Sequence, residues 1–292
     1  MLNKKANPLI VAALTVLCVI MIVPILIMVS TAVKSMAEVF TRGGLLRFFI
    51  PENIHLENFR DAFAYKNATW GRYFYNTLFV TVITVVASLC INSIAGFAFA
   101  RLRFPGSNIL FFLGLVGLMI PPQATIVPVF FILKNFPLAG GNSILGQGGR
   151  GFINTPFALM APYLAGSFGV FLFRQHFLNF PQSLDDAAKI DGLNRFGTFL
   201  RIYVPLSKPV FASLMVMKGT QCWNEYIWPL IVTSSNDMRT LQVALVYFKD
   251  EVGTQWNYLM SVTCVIILPL LVLFFLAQKS FVEGIATSGI KG

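Results

Sequence analysis

Two charged residues, Lys218 and Glu225, interrupt a long apolar stretch and are the side chains whose chemistry most needs an explanation. A charged side chain in the middle of a membrane-spanning helix costs roughly 2.5–3.5 kcal/mol, so it usually faces a cavity or a partner. On a continuous helix the two would share a face but lie about 10 Å apart along the axis. Direct pairing is therefore not expected. Glu225 closes a Trp223-Asn224-Glu225 sequence, which suits either a structural hydrogen bond or a ligand contact.

No other group of residues has the spacing of a catalytic or nucleotide-binding site. Gly141 and Gly146 are spaced as in a phosphate-binding loop, but Gln-Gly follows where lysine and serine or threonine are required. The two histidines, His55 and His176, fall in separate loops, and the sequence has no HExxH or GxSxG. An intramembrane enzyme would need a clustered nucleophile or clustered metal ligands. The chain is therefore predicted to be non-catalytic and to hold no cofactor or metal.

The polar loop from Pro181 to Pro205 is a second distinctive segment. Within it Ser183 is suited to cap a helix, Asp186 completes a short capping box, and Gly192 is suited to end the helix in a left-handed conformation. The predicted helix 183–192 has one low-profile face, formed by Leu184, Ala187, Ala188 and Asp191. Because this face is rich in alanine rather than in Trp, Phe and Leu, it favours docking in a protein groove. The alternative is a surface helix that lies on lipid.

The elements that position these residues are predicted to be membrane spans. Of the 292 residues, 56% are hydrophobic and 12% are charged, and the mean hydropathy is +0.72; a soluble domain carries about 25% charged residues. A helix needs about 20 apolar residues to cross the hydrocarbon and satisfies its own backbone hydrogen bonds there. The sequence therefore predicts an all-α membrane protein, one domain over 1–292, with six transmembrane helices at 8–33, 73–100, 107–134, 155–178, 208–232 and 256–278.

The basic residues and the first apolar stretch fit the same interpretation. The formal net charge is +10, but the basic residues lie mostly in loops between apolar stretches, where they meet membrane lipid or solvent rather than nucleic acid. The stretch 8–33 is too long for a signal-peptide core and is predicted to be retained. Six spans put both termini on one side. Lys and Arg divide almost equally between the two sides, so charge alone leaves the orientation open.

The polar loop also carries a family signal. Asp186-Ala187-Ala188, three residues, Gly192, nine residues and then Ile-x-Val-Pro205 resemble the EAA motif of ABC import permeases. Asp replaces the usual Glu and Val the usual Leu, and both changes preserve the capping and packing chemistry. Further stretches resemble the MalG-type permeases of carbohydrate importers: residues 56–59, 95–106, 119–121, 171–175, 205–209, 223–225 and 284–292.

This resemblance implies the type I permease fold of ABC importers and a set of partners. They are a second, MalF-type permease, two ATPase subunits that bind ATP and Mg²⁺, and a substrate-binding protein outside the bacterial inner membrane. Helix 183–192 would be the coupling helix in an ATPase cleft, with Arg174 and Asp186 at the interface. Its docking energy would come mainly from Leu184, Ala187 and Ala188, with Asp191 and Gly192 at its end. The C-terminal tail would reach the ATPases, the loop 233–255 would face the binding protein, and both termini would be cytoplasmic.

In the same family the position of Lys218 is usually small or apolar, so its charge predicts a property of the substrate. We hypothesise that Lys218 faces the path of an acidic oligosaccharide, such as one built of uronic acids. Pairing with the second permease and snorkelling to an interface are the alternatives. A neutral sugar, a polyol or a glycerol phosphate is the alternative substrate. A self-sufficient secondary transporter is a remote alternative, because it predicts internal repeats and carboxylate relays, which the sequence lacks.

Aromatic residues surround the end of this span. Trp223, Asn224 and Glu225 complete the predicted substrate-path residues. The rings of Trp223, Tyr226 and Trp228 are suited to stack on sugar faces, while an aromatic belt at the membrane interface is the other interpretation.

Overall fold

The computed structural model describes residues 7–41, 44, 46–250 and 253–288. Residues 289–292 of the predicted tail, and two residues of the predicted loop 233–255, lie outside the described residues. The chain divides into two compact units. The first is Met1–Trp70 with Ala244–Pro269, and the second is Gly71–Val243 with Leu270–Gly292.

The described residues are mostly helical. In chain order the α-helices are α1 (Pro8–Ala32), α2 (Met36–Phe40), α3 (Leu46–Phe49), α4 (Glu57–Ala64), α5 (Trp70–Arg101), α6 (Ser107–Val116), α7 (Pro122–Lys134), α8 (Pro156–Met160), α9 (Ser167–Leu178), α10 (Ser183–Ile190), α11 (Arg195–Thr198), α12 (Val204–Leu206), α13 (Lys208–Trp223), α14 (Ile227–Val232), α15 (Leu241–Ala244) and α16 (Trp256–Ser288). A π-helix covers Phe199–Tyr203, and 3₁₀ turns cover Tyr65–Asn67, Ala161–Tyr163, Asn236–Met238 and Leu245–Phe248. Two short strands, β1 (Lys249–Asp250) and β2 (Gly253–Thr254), pair antiparallel.

The apolar stretches of the sequence form these helices, but several are broken. By length and composition, α1, α5 and Trp256–Leu276 of α16 are each able to cross a membrane in one piece, and residues 156–178 form a span bent by 47°. The stretch predicted as one span at 107–134 is instead two shorter helices, α6 and α7. The stretch predicted at 208–232 ends its first helix at Trp223 and begins α14 at Ile227. The all-α membrane fold is confirmed, whereas the continuity of these two spans is wrong.

The first unit is joined through polar side chains at the end of α1. Asn58 Nδ2 donates to the carbonyl oxygens of Ala32 (3.0 Å) and Lys34 (2.8 Å). Asn257 Nδ2 donates to Asn58 Oδ1 (3.2 Å), and Ser261 Oγ donates to the Ala32 carbonyl (2.9 Å). Because the last carbonyls of a helix lack partners within it, these bonds tie the end of α1 to α4 and α16.

The second unit is built on close contact between α5 and α9. A Cβ added to Gly96 would stand 2.5 Å from Phe173 Cβ, and one added to Gly169 would stand 2.5 Å from Asn92 Nδ2. Small residues let helix backbones approach closely in membranes. Asn92 Oδ1 also accepts a hydrogen bond from the Gly166 backbone (3.1 Å), at the bend between α8 and α9. The helix α5 thereby holds the broken span in place.

Candidate functional site

The helix α10 is the first of the two places that the sequence singles out. It begins at Ser183 with Gln182 at the N-cap position, and no side chain caps it, so the predicted capping by Ser183 is wrong. It ends as predicted, since Gly192 adopts a φ of +74°. The Gly192 amide donates to the Lys189 carbonyl (3.1 Å) and the Leu193 amide to the Ala188 carbonyl (2.9 Å). This pair of bonds is the Schellman motif, and it ends the helix at Ile190, two residues before the predicted end.

The residues of α10 do not form the single docking face predicted. Ala188 is fully buried and Asp185 is 7% exposed, so both face the interior of the second unit. Leu184 is half-buried. The outward side is formed instead by Asp186, Ala187, Ile190 and Asp191, and Ile190 is 88% exposed.

A buried polar contact explains this orientation. The Tyr203 hydroxyl donates to Asp185 Oδ2 (2.9 Å), and Arg101 Nη1 lies 3.4 Å from the same oxygen. Arg101 Nη2 also donates to the carbonyls of Phe177 (2.7 Å) and Phe180, which lie at the C-terminal end of α9, where a positive charge is favourable. One carboxylate and one guanidinium therefore join α10 to the ends of α5 and α9 and to the π-helix.

The pairing of Asp185 with Arg101 was not predicted. Arg101 lies within the family-like stretch 95–106, and Asp185 lies within the predicted helix 183–192. Their common signal is a charged residue at the end of a long apolar helix and another in the first turn of a surface helix. Asp185, Arg101 and Tyr203 form a polar seam. This seam adjoins an aromatic cluster, in which Tyr203 contacts Phe97 with ring centroids 4.9 Å apart.

Arg174 and Asp186 were expected together at a partner interface, and the structure does not bring them together. Arg174 Nε donates to the Phe99 carbonyl (3.3 Å), and its guanidinium lies 4.1 Å from the centroid of the Phe111 ring. Asp186 pairs with Lys189 at 3.2 Å. Arg174 thus connects α9 to α5 and α6, while Asp186 stays on the outward side of α10.

The second place is a cavity of about 540 Å³ in the second unit. It is lined by α7, by the bend between α8 and α9, and by the end of α13 with the start of α14. Its polar lining consists of Gln123, Thr125, Tyr163, Ser167, Lys218, Gln221 and Glu225.

Lys218 faces this cavity, as predicted. Its Nζ donates to Gln221 Oε1 (3.3 Å), and a Cβ added to Gly166 would stand 3.6 Å from Nζ. A Cβ at that distance would make an ordinary van der Waals contact, so Nζ lies directly beside the break between α8 and α9. Lys218 therefore lies against the bend of the broken span.

Glu225 lines the same cavity at a different level. Its Oε1 accepts a hydrogen bond from the Trp228 backbone amide (3.2 Å), and its carboxylate lies beside Tyr163. Because α13 ends at Trp223, helical spacing does not fix the position of Glu225 relative to Lys218, contrary to the prediction. Glu225 makes a structural hydrogen bond, one of the two roles predicted for it, and also lines the cavity; its contact with a ligand stays a prediction.

Of the three neighbouring aromatic residues, Trp223 and Trp228 are more buried than an interface belt requires, whereas Tyr226 is exposed. Trp228 is buried and donates from Nε1 to the Ala158 carbonyl (2.8 Å), and one part of it lines the cavity. Trp223 is buried with its ring edge-to-face on Phe74 at 5.8 Å. Asn224 is exposed and accepts from Gln242 Nε2 (3.4 Å). Trp223 and Asn224 are not among the described residues that line this cavity, and their place on a substrate path stays a prediction.

The family of the chain follows from sequence comparison. Residues 89–286 match the family of binding-protein-dependent transport system inner membrane components. The chain belongs to this family. The permease is 31% identical to the arabinooligosaccharides transport system permease protein AraQ of Halalkalibacterium halodurans, over 100% of both chains. It is 30% identical to the sn-glycerol-3-phosphate transport system permease protein UgpE of Brucella abortus, over 81% of both chains.

A solved structure has the same fold. The permease matches, with a TM-score of 0.77 and 20% identity, a chain of a bacterial ABC transporter involved in the import of the acidic polysaccharide alginate. The match covers 96% of the permease and 99% of that chain. The fold is therefore that of an ABC importer permease embedded in the membrane, as the resemblance of the EAA-like segment implies.

Proposed function

We propose that this permease is the translocating subunit of an ATP-driven importer of an oligosaccharide that carries a uronate carboxylate. The observation that carries the proposal is the ammonium group of Lys218 in the wall of the 540 Å³ cavity. An unpaired cation inside a span is costly, and it is retained where it serves a ligand or an ion path. A sugar carboxylate complements this charge.

The comparisons support an anionic or oligosaccharide substrate without choosing between them. AraQ is named for arabinooligosaccharides and UgpE for glycerol 3-phosphate, which is anionic. The likeness to the alginate importer concerns the fold, and its named substrate is acidic. A neutral oligosaccharide is the second candidate, favoured by the similarity to AraQ over the full length.

The polar seam of α10 supplies the mechanical part of the proposal. Two partner ATPase subunits bind ATP and Mg²⁺, and a cleft of one of them receives the outward side of α10 and moves it when the pair closes. Since Asp185, Arg101 and Tyr203 fix α10 to three other segments, the helix transmits that movement as a rigid lever. Only contacts that differ between two conformations can drive such a change, and α10 is placed to make them.

The remaining parts of the assembly follow from the family resemblance. A MalF-type second permease completes the pathway, a substrate-binding protein delivers the sugar at the side of the loop 233–255, and both termini of the chain are cytoplasmic. The permease performs no catalysis of its own.

The test is ATP hydrolysis by the complete complex in lipid, with its binding protein, in the presence of neutral and uronate-containing oligosaccharides. We expect uronate-containing sugars to stimulate hydrolysis most. Lys218→Met should lower the preference for uronate-containing over neutral sugars by at least about tenfold, because one close charge contact at a partly buried site contributes that much. Lys134→Met, which removes an exposed lysine outside the cavity, is the matched control. Stimulation by neutral sugars only would support the second candidate and remove the role of Lys218.

A further inference from the structure

The cavity holds two charges of opposite sign. Among the residues that the structure describes, Lys218 and Glu225 are the Lys, Arg, Asp or Glu side chains that line it. Each is engaged by neutral groups: Lys218 Nζ donates to Gln221 Oε1 (3.3 Å), while the Glu225 carboxylate accepts from the Trp228 amide (3.2 Å) and from the Tyr163 hydroxyl. Both charges are therefore left to act on whatever occupies the cavity.

The two charges mark two levels of the cavity. Lys218 lies against Gly166 at the bend of the broken span, whereas Glu225 lies beside Tyr163 and Trp228, past the end of α13. The five residues from Lys218 to the helix end at Trp223 correspond to about 7.5 Å of axial rise. An extended sugar chain in the cavity would meet the cation with one unit and the carboxylate with another.

We infer that Lys218 and Glu225 together select oligosaccharides that carry a single carboxylate. Lys218 binds the uronate, and Glu225 accepts hydrogen bonds from the hydroxyls of a neutral unit while it repels a second carboxylate at its level. The preferred substrate class is one uronate attached to neutral sugars, rather than a run of consecutive uronates. This inference rests on the proposed function, because it requires the cavity to be the sugar path.

The expected size of the effect follows from electrostatics. Repulsion between two carboxylates several ångströms apart at a partly hydrated site corresponds to a loss of roughly fivefold to tenfold in affinity. Glu225→Gln is the informative variant, because it removes the negative charge while its amide keeps an oxygen that accepts from the Trp228 amide and a nitrogen that donates to the Tyr163 hydroxyl oxygen. Asp61→Asn, which neutralises an exposed carboxylate of the first unit, is its control.

The experiment measures equilibrium binding to the whole transporter complex in nanodiscs, without binding protein, so that delivery does not filter the ligands. Three trisaccharides of equal length are compared: one neutral, one with a single uronate, and one with two consecutive uronates. We expect the wild type to bind the single-uronate sugar most tightly. Glu225→Gln should raise the affinity for the two-uronate sugar roughly fivefold to tenfold, with the ratio of single-uronate to neutral binding retained. The control Asp61→Asn should behave as the wild type.

The outcomes separate the inference from the proposed function. If the wild type binds none of the three sugars, or binds the neutral and single-uronate sugars equally, the proposed uronate path fails and the inference falls with it. If the single-uronate preference holds but Glu225→Gln leaves the ratio of two-uronate to single-uronate binding unchanged, only the inference is overturned. If that variant does not assemble, the wild type is measured at two salt concentrations. Raising the salt from about 0.05 M to about 0.5 M should increase the ratio of two-uronate to single-uronate binding, because screening weakens the repulsion between carboxylates. A ratio independent of salt would also overturn it.

Discussion

Tyr203 and Asp185 are eighteen residues apart in the chain, and the tyrosine hydroxyl donates a 2.9 Å hydrogen bond to Oδ2 of the aspartate. Both side chains are buried. Because Arg101 approaches the same oxygen at 3.4 Å and also binds the end of α9, the contact is the centre of a seam between four segments. The helix α10 is therefore a fixed part of the second unit rather than an appendage on a flexible loop.

Tyr203→Phe should weaken this seam with little change in packing. The phenyl ring keeps its place beside Phe97, while Asp185 loses a donor, so we expect about 1 kcal/mol less stability. If α10 is the lever of transport, the variant should also import less sugar per ATP hydrolysed. The measurement is thermal unfolding of the purified complex together with the transport-to-ATP ratio in liposomes. Tyr75→Phe, at an exposed tyrosine of α5, should leave both unchanged.

Asp185→Ala should be more damaging than Tyr203→Phe. It leaves the Arg101 guanidinium without its carboxylate in a buried site, which typically costs about 3–5 kcal/mol. In the double variant Asp185→Ala with Tyr203→Phe, the loss should be smaller than the sum, since both remove one shared bond. Strict additivity of the two changes in melting temperature would show that the bond contributes nothing.

Gly192→Ala should disturb the end of α10 through its backbone alone. A Cβ at this residue meets no atom within 4 Å, but its φ is +74°, a conformation that costs an L-residue about 1–2 kcal/mol. Gly192→Asn should cost less, because asparagine tolerates this region better. The readout is the amount of ATPase that copurifies with the permease and the melting temperature of the complex. Gly114→Ala, where a Cβ is also free of contacts within α6, is the control, and an equal effect of both alanines would contradict the argument.

The position of α10 was predictable from the sequence, but its orientation was not. Gly192 and the apolar spacing before it indicate a short helix that ends in a left-handed residue, and local backbone preferences suffice for that, although Ser183 does not cap the helix. Which side turns inward depends on Arg101, eighty-four residues earlier than Asp185, through the contact at 3.4 Å. The helical periodicity placed both alanines on one docking face, because periodicity does not indicate that the Asp185 carboxylate is buried against Arg101, a distant residue in the chain.

The breaks in the spans show the same division between local and tertiary causes. Pro121 precedes α7 and Pro122 is its first residue, which is where a proline costs a helix least. Pro24, Pro128 and Pro269, however, lie inside continuous helices, although their residue type alone predicts a kink. In the cavity, the charge of Lys218 was a reliable signal of an internal surface. The place of Glu225 was not predictable, because α13 ends before it.

Arg174 is predicted to contribute to packing within the second unit. Its guanidinium stacks on Phe111 at 4.1 Å, a contact worth about 0.5–1 kcal/mol at an exposed site and more where it is dry. Arg174→Lys should lower the melting temperature of the complex slightly and Arg174→Met by more, because methionine also loses the bond to the Phe99 carbonyl. Affinity for the ATPase subunits should stay unchanged in both. A selective loss of ATPase binding at unchanged melting temperature would instead assign Arg174 to that interface.

Gly96→Ala and Gly71→Ala make a matched pair within α5. At Gly96 the new Cβ would stand 2.5 Å from Phe173 Cβ and 3.0 Å from the Arg174 backbone nitrogen. The first clash is with a Cβ, which every residue except glycine carries, so a different rotamer of Phe173 does not relieve it. The helices α5 and α9 must therefore separate, and overpacking of this kind costs about 1–3 kcal/mol. At Gly71, in the first turn of α5, a Cβ meets nothing within 4 Å, and alanine favours the helix by part of the about 1 kcal/mol that it gains over glycine in a helix interior. Thermal unfolding of the two variants should therefore shift in opposite directions, and a common shift would refute the close contact of α5 with α9.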